Sequence, residues 1–229
     1  MNNLREVVLD TETTGLSAKD GHRIIEIGCV ELINRVKTGK TFHAYINPQR
    51  PVAPNAFEVH GISDEFLADK PLFKSVVSSF LNFIGNSSLI IHNALFDMQF
   101  LNNELAIMAF PTLPMHRAID TLVIAKKKFP GSQYSLDALC RRFNISLHTR
   151  EKHSALVDSE LLAMVYLRML APEQSIMQLR ARSDYSAHEQ NTGRTGTRHK
   201  RHFKVSDLEL SEHRELLSKI KNHIYGSDC

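Results

Sequence analysis

The chain has 229 residues, 42% of them hydrophobic and 23% charged. That is ordinary for a soluble globular protein built as one domain with an appendage, or as two small domains. The net charge of +3 is too small to argue for nucleic acid by itself, and no apolar run approaches the roughly 18 residues that would span a bilayer.

The N-terminal segment carries acids too early, and too short an apolar run, for a signal peptide. Glu6–Asp10 (EVVLD) reads as a short buried strand ending in acid. Arg23–Ile33 and Lys40–Ile46 alternate more clearly and read as strands joined by hairpins. Leu72–Ile84 has the spacing of an amphipathic helix, and Ser88–His92 is another short buried strand. Helices are expected at 94–108, 120–128, 135–143 and 154–170, with a strand near 116–120. Three strands followed by alternating helix and strand give an α/β sandwich around a mixed sheet.

Pro172 closes this block, giving a first domain of 1–172. Ser183–Thr197 has almost no apolar residues and reads as part of a flexible linker over 173–207. Within it, His188–Lys204 holds five Lys or Arg against one acid. Leu208–Ile224 returns to helical periodicity on Leu210, Leu217, Ile220 and Ile224, so 208–229 is read as a C-terminal helical tail. Cys29, Cys140 and Cys229 are odd in number, far apart and form no CxxC pair. Neither a disulfide framework nor a zinc site is suggested, and a reducing cytoplasm is the default reading.

The informative residues are acids where a core should be apolar. Asp10 and Glu12 stand at i and i+2 on a strand, so both carboxylates point to one side. Alone, the pair could equally be an exposed strand end. Asp97 shares its helix face with Phe100, Leu101 and Leu105, and Asp158 shares its own with Leu161, Leu162 and Val165. A carboxylate on an apolar stripe is costly unless paired or bound to a cation. Four such acids read most economically as a cage for divalent cations, with oxygen donors that suit Mg²⁺ or Mn²⁺ and not zinc. His153 lies just before Ser154, the expected N-cap of the last helix. A loop histidine is usually a plain surface residue, but five positions before a cage Asp it becomes a candidate general base.

Together Val8–Gly15 (VLDTETTG), His92–Asp97 (HNALFD) and His153–Asp158 (HSALVD) resemble the motifs of the DEDDh exonucleases. These form the four-acid, one-histidine branch of the ribonuclease-H-like superfamily. Val59–Glu65 and Tyr134–Cys140 also fit, and the resemblance covers roughly residues 4–170. It implies a ribonuclease-H-like mixed sheet flanked by helices, and 3′→5′ hydrolysis of DNA ends with two divalent cations per site. Asp10, Glu12 and Asp158 would hold one cation, Asp10 would bridge to the second, Asp97 would support it, and His153 would take a proton from water. Activity should then rise with pH as the imidazole loses its proton.

The resemblance places Thr13, Gly15 and Leu16 against the terminal nucleotide, where small residues let the backbone approach, although a simple turn remains an alternative. His60 and Asn93 are further contacts by the same analogy, together with the acids Asp10, Glu12 and Asp158. Asn55 stands where relatives often carry Glu. Phe57, Phe96 and Phe100 are read as core residues. Within the family the likeness is greatest to the proofreading enzymes of bacterial replicative polymerases. That implies an alpha polymerase subunit as partner of the C-terminal tail, and a small theta-like subunit. Glu173–Leu179 (EQSIMQL) looks like a motif for the beta sliding clamp, with Gln174, Met177 and Leu179 as anchors, or equally an extra helical turn.

Three rival readings remain at this stage. One is an exonuclease of the same family acting on RNA or small oligonucleotides. Another is a scaffold without activity that bridges polymerase and clamp. The third is a binding module built on the basic stretch 188–204.

Overall fold

The computed structural model describes residues 4–147, 152–171 and 206–219. The chain divides into two compact units, Met1–Met177 and Gln178–Cys229.

The first unit is built on a five-stranded mixed sheet in the order β3-β2-β1-β4-β5. Strand β1 (Arg5–Thr13) is central, antiparallel to β2 (Ile24–Ile33) and parallel to β4 (Ser88–Ile91). Strand β3 (Val36–Tyr45) pairs antiparallel with β2 and forms an exposed edge, while β5 (Ala118–Asp120) closes the other side parallel to β4. The sheet matches the expected mixed architecture, with β3 starting four residues earlier than its alternation suggests. The reason is the turn: Asn34 and Arg35 both take positive φ (50° and 63°), the geometry of a two-residue hairpin.

Two helices follow β3. Helix α1 (Pro54–His60) begins on proline and ends on Gly61 at φ 68°, and α2 (Asp64–Leu67) is capped by the Ser63 hydroxyl. Helices α3 (Phe73–Ile84) and α4 (Ala94–Ile107) cover one face of the sheet. There Val7, Leu9, Ile27, Leu89 and Ile91 pack with Phe80, Ile84, Met98, Leu101 and Leu105. Helices α5 (Thr121–Lys128), α6 (Leu136–Arg142) and α7 (Ala155–Leu170) follow. Helix α7 covers the second face, where Val8, Val30, Leu32 and Ile90 meet Leu162, Ala163 and Tyr166. Strand β2 is therefore buried on both sides and not on one, as its alternation suggests.

Helix α7 lies against the backbone of β2. A Cβ on Gly28 would overlap the Ala155 carbonyl and the Leu156 amide nitrogen. Ser159 in α7 donates to the Gly28 carbonyl at 2.9 Å. On the other face Arg23 makes two 2.6 Å hydrogen bonds to Glu104 of α4, tying the start of β2 to that helix.

In the second unit, α8 spans Asp207–Lys219. Ser206 and Glu209 form a reciprocal capping box: the Ser206 amide donates to Glu209 at 2.9 Å and the Glu209 amide to the Ser206 hydroxyl at 3.3 Å. Leu208, Leu210 and Leu216 are exposed. Gln174, Met177, Leu179, the stretch 183–204 and the positions Ile220 and Ile224 lie outside the described residues. Among the described residues no helix is long and apolar enough to cross a membrane.

Candidate active site

Strand alternation decides what each residue of β1 meets. Val8, Asp10 and Glu12 face α7, whereas Val7, Leu9 and Thr11 face α4. Asp10 pairs with Gly28 across the sheet and Glu12 with Glu26. Asp158, in the first turn of α7, reaches the same face, and Asp97, in the first turn of α4, arrives from the other. The partial positive charge at each helix N-terminus favours a carboxylate there. Thr11 donates to Asp97 Oδ1 at 2.7 Å and holds that acid at the edge of the site.

One cavity of about 600 Å³ joins Asp10, Glu12, Asp97, Asp158 and His153, together with Thr11, Leu16, His92, Asn93 and Phe96. Oxygen or nitrogen donors of Glu12, His153 and Asp158 lie within 4.8 Å of one another. His153 Nδ1 is 3.1 Å from Asp158 Oδ2, with the imidazole half-exposed and the carboxylate buried. Burial pushes the Asp10 carboxyl well above the usual range, and Asp97, Glu12, Asp158 and Glu26 push it further. Every charged group that sets Asp10 is thus another carboxylate. Burial raises Asp97 to about 7, against the opposing hydrogen bond from Thr11. Crowded carboxylates whose ionised forms are disfavoured are a donor set completed by divalent cations.

This electrostatic cost has a consequence for the metal-free protein. Asp97 binds its proton more tightly folded, at about 7, than unfolded, near 3.9. Between those values the folded state carries more protons, so the contribution of Asp97 to stability falls as pH rises. In chelator, Asp97→Asn should therefore gain melting temperature relative to the parent from about pH 4.5 to 7, then hold a constant lead. A gap that does not change across that range would contradict it.

A smaller adjoining cavity of about 180 Å³ is lined by Thr13, Gly15, Leu16, Asn55, Val59, His60 and Phe96. Asn93, at φ 64°, opens α4 on the wall of the larger cavity. Its amide and that of Ala94 donate to Asp120, which also caps α5. The Thr13 hydroxyl is used locally, donating to the Gly15 carbonyl at 2.7 Å. Gly15 also makes room within the protein: a Cβ there would run into the His22 imidazole. His60 is buried, accepts the Ile62 amide at 3.0 Å, and is pushed below the ordinary histidine value by that burial.

Of the three aromatic residues expected in the core, Phe57 is not there. Phe57 is 41% exposed on α1, with the Lys152 ammonium 5.4 Å from its ring centre, because this short helix buries His60 and leaves the Phe57 side outward. Phe100 is core as expected, and Phe96 packs against the same core while its other side borders both cavities. Ser135, Leu136 and Asp137, which the start of α6 brings into the larger cavity, lie in the Tyr134–Cys140 segment that fits the family motifs, but the sequence assigned them no individual role. The Ser-x-x pattern of an N-cap, with the Ser135 hydroxyl accepting the Ala138 amide, was the available signal.

Comparison with known proteins places this geometry. Residues 7–166 match the exonuclease (RNase_T) family. The chain is 46% identical over 228 residues to the DNA polymerase III subunit epsilon of Rickettsia felis, covering 96% of this chain and 98% of that one. It is 49% identical over 179 residues to the epsilon subunit of Salmonella typhimurium, covering 75% and 74%. Among solved structures, Exonuclease X in complex with 5′-overhanging duplex DNA superposes with a TM-score of 0.56 at 27% identity, over 72% of this chain and 90% of that chain. The nuclease domain of 3′hExo, a DEDDh family member bound to rAMP, shares the fold at a TM-score of 0.63 and 22% identity, over 73% and 92%. The chain belongs to the exonuclease family and, within it, to the DNA polymerase III epsilon subunits.

Proposed function

We propose that the four-acid cavity removes nucleotides one at a time from DNA 3′ ends, as the proofreading exonuclease of a replicative polymerase. The observation that carries this reading is the meeting of Asp10, Glu12, Asp97 and Asp158 beside His153 in one cavity. Exonucleases of this family use divalent cations. Here Asp10, Glu12 and Asp158 would hold one Mg²⁺ or Mn²⁺, with Asp10 shared to a second and Asp97 supporting that second position. When bound, the cations stabilise the attacking and leaving oxygens of an in-line displacement.

The remaining work falls to the chain. His153 accepts a proton from the attacking water, in its neutral form. A hydrogen bond from Nδ1–H to Asp158 keeps the ring's lone pair on Nε2. Water oxygen bonds to phosphorus as the P–O3′ bond breaks, releasing a nucleoside 5′-monophosphate and leaving a new 3′-hydroxyl. Thr13, Gly15, Leu16, Asn55 and His60 form the wall against which the terminal nucleotide rests, with Asn93 on the opposite side. Neither cavity carries a ladder of aromatic rings. That suits an end-directed enzyme handed its substrate by a polymerase, because strand-tracking binders stack successive bases.

Residues 1–172 act as the nuclease unit. The linker over 173–207 carries Gln174, Met177 and Leu179 to the beta sliding clamp. The tail over 208–229 docks on the alpha polymerase subunit through the apolar face to which the exposed Leu210 of α8 belongs. A theta-like subunit and a cytoplasmic location complete the assignment.

Matched 3′-labelled DNA and RNA oligomers with Mg²⁺ test it. Mononucleotides should be released from the DNA 3′ end, faster than from RNA, by both the full chain and residues 1–172. Only the full chain should co-purify with the alpha subunit. Faster loss of RNA would overturn the DNA assignment, and equal retention of alpha by residues 1–172 would overturn the role of the tail.

A further inference from the structure

Glu26 is a charged residue that neither cavity includes, yet it is fully buried on β2, opposite Glu12. An ionised carboxylate in that place needs hydrogen bonds. Its Oε1 accepts from the Ser154 hydroxyl at 2.8 Å and lies 2.7 Å from His43 Nε2, and the Tyr45 hydroxyl is bonded to the same group. Its Oε2 has no hydrogen-bond partner among the described residues.

Ser154 is the unexpected member of this network. It stands at the N-cap of α7 with extended backbone (φ −145°, ψ 130°), where a serine hydroxyl ordinarily accepts an amide of the first helical turn. It makes no such bond, and its proton goes to Glu26. The helix start thereby gives up a cap, and the residue next to His153 is tied to the floor of the sheet. On the other side of His153, the Lys152 stem lies over Gly61 and its ammonium over the Phe57 ring, so that neighbour is tied to α1. His153 is held between two anchored residues.

We propose that Glu26 is a positioning residue for His153, acting through the Ser154 hydroxyl. The inference rests on the reading of His153 as proton acceptor. Groups that orient a reacting side chain commonly change rates about 10–100-fold when removed.

The test is single-turnover and steady-state kinetics of the full chain with Mg²⁺ on a single-stranded DNA oligomer, with melting curves recorded alongside. Ser154→Ala should lower kcat about tenfold with KM unchanged, since Ser154 lines neither of the two cavities described above. Glu26→Gln, which keeps an acceptor oxygen toward Ser154, should retain most of kcat, and Glu26→Leu should lose at least as much as Ser154→Ala. In a His153→Ala background, Ser154→Ala should have no further effect, because the group it orients is gone. If Glu26→Leu does not fold, Ser154→Ala and its combination with His153→Ala decide the matter. Parental kcat in Ser154→Ala would overturn the proposal, as would an undiminished tenfold loss in the His153→Ala background. Parental activity in His153→Ala itself would instead overturn the assignment of the base, so the two failures are told apart.

Discussion

Asp10→Asn is expected to abolish nuclease activity and, at the same time, to raise the melting temperature of the metal-free protein. Asp10 is surrounded by Asp97, Glu12, Asp158 and Glu26, all of which disfavour its charge. Neutralising it relieves repulsion in the absence of cations. The same change removes the residue best placed to share two cations, at a cost of about 4 kcal/mol in the transition state, or about a thousandfold in rate. Nucleotide release and thermal melting with chelator, Mg²⁺ and Mn²⁺ check both halves. The parent should gain about 5–10 °C when cation is added at about a hundred times its dissociation constant, and the variant should gain far less. A metal-free variant less stable than the parent would mean that Asp10 is already satisfied by the protein, and the cation cage would be lost as an explanation.

The second large effect concerns His153. Its replacement by Ala should slow hydrolysis by about 10²–10⁴-fold while preserving the cation-induced rise in melting temperature. The close approach of Glu12, His153 and Asp158 donors makes a direct metal ligand the competing role. The hydrogen bond to Asp158 favours the base, since it engages one ring nitrogen and orients the other. Loss of the thermal shift in His153→Ala would assign the imidazole to the metal. In the parent, activity should rise with pH as the ring is deprotonated, and that rise should vanish in the variant.

The acids of the site were legible because burial makes charge conspicuous. Asp97 among Phe100, Leu101 and Leu105, and Asp158 among Leu161, Leu162 and Val165, interrupt stripes that otherwise read as core, and all of these residues are buried. The periodic helices were legible for the same reason. Helices α1 and α2 were not, because one or two turns give periodicity too little length to register. The proline that opens α1 and the glycine that ends it were the usable signals. The start of β3 was hidden by a turn of Asn34 and Arg35, which adopts left-handed geometry without glycine. Glu26 was masked by its strand. In RIIEIGCVELI an acid between isoleucines reads as the outward-facing residue of an alternating strand, and only the packing of α7 makes that face an interior. Ser154 was placed correctly as the residue before the helix, but no local rule tells that its hydroxyl is spent on Glu26.

Gly28 sets the aperture of the reaction centre. It is the cross-strand neighbour of Asp10 and lies directly beneath the first residues of α7, the helix that bears Asp158. The distance between those two carboxylates is therefore governed by an absent methyl group. Replacing a glycine inside a strand by alanine is ordinarily a route to a more robust protein. In this enzyme that route is closed, because the added carbon would wedge the helix outward and carry one jaw of the cation grip away from the other.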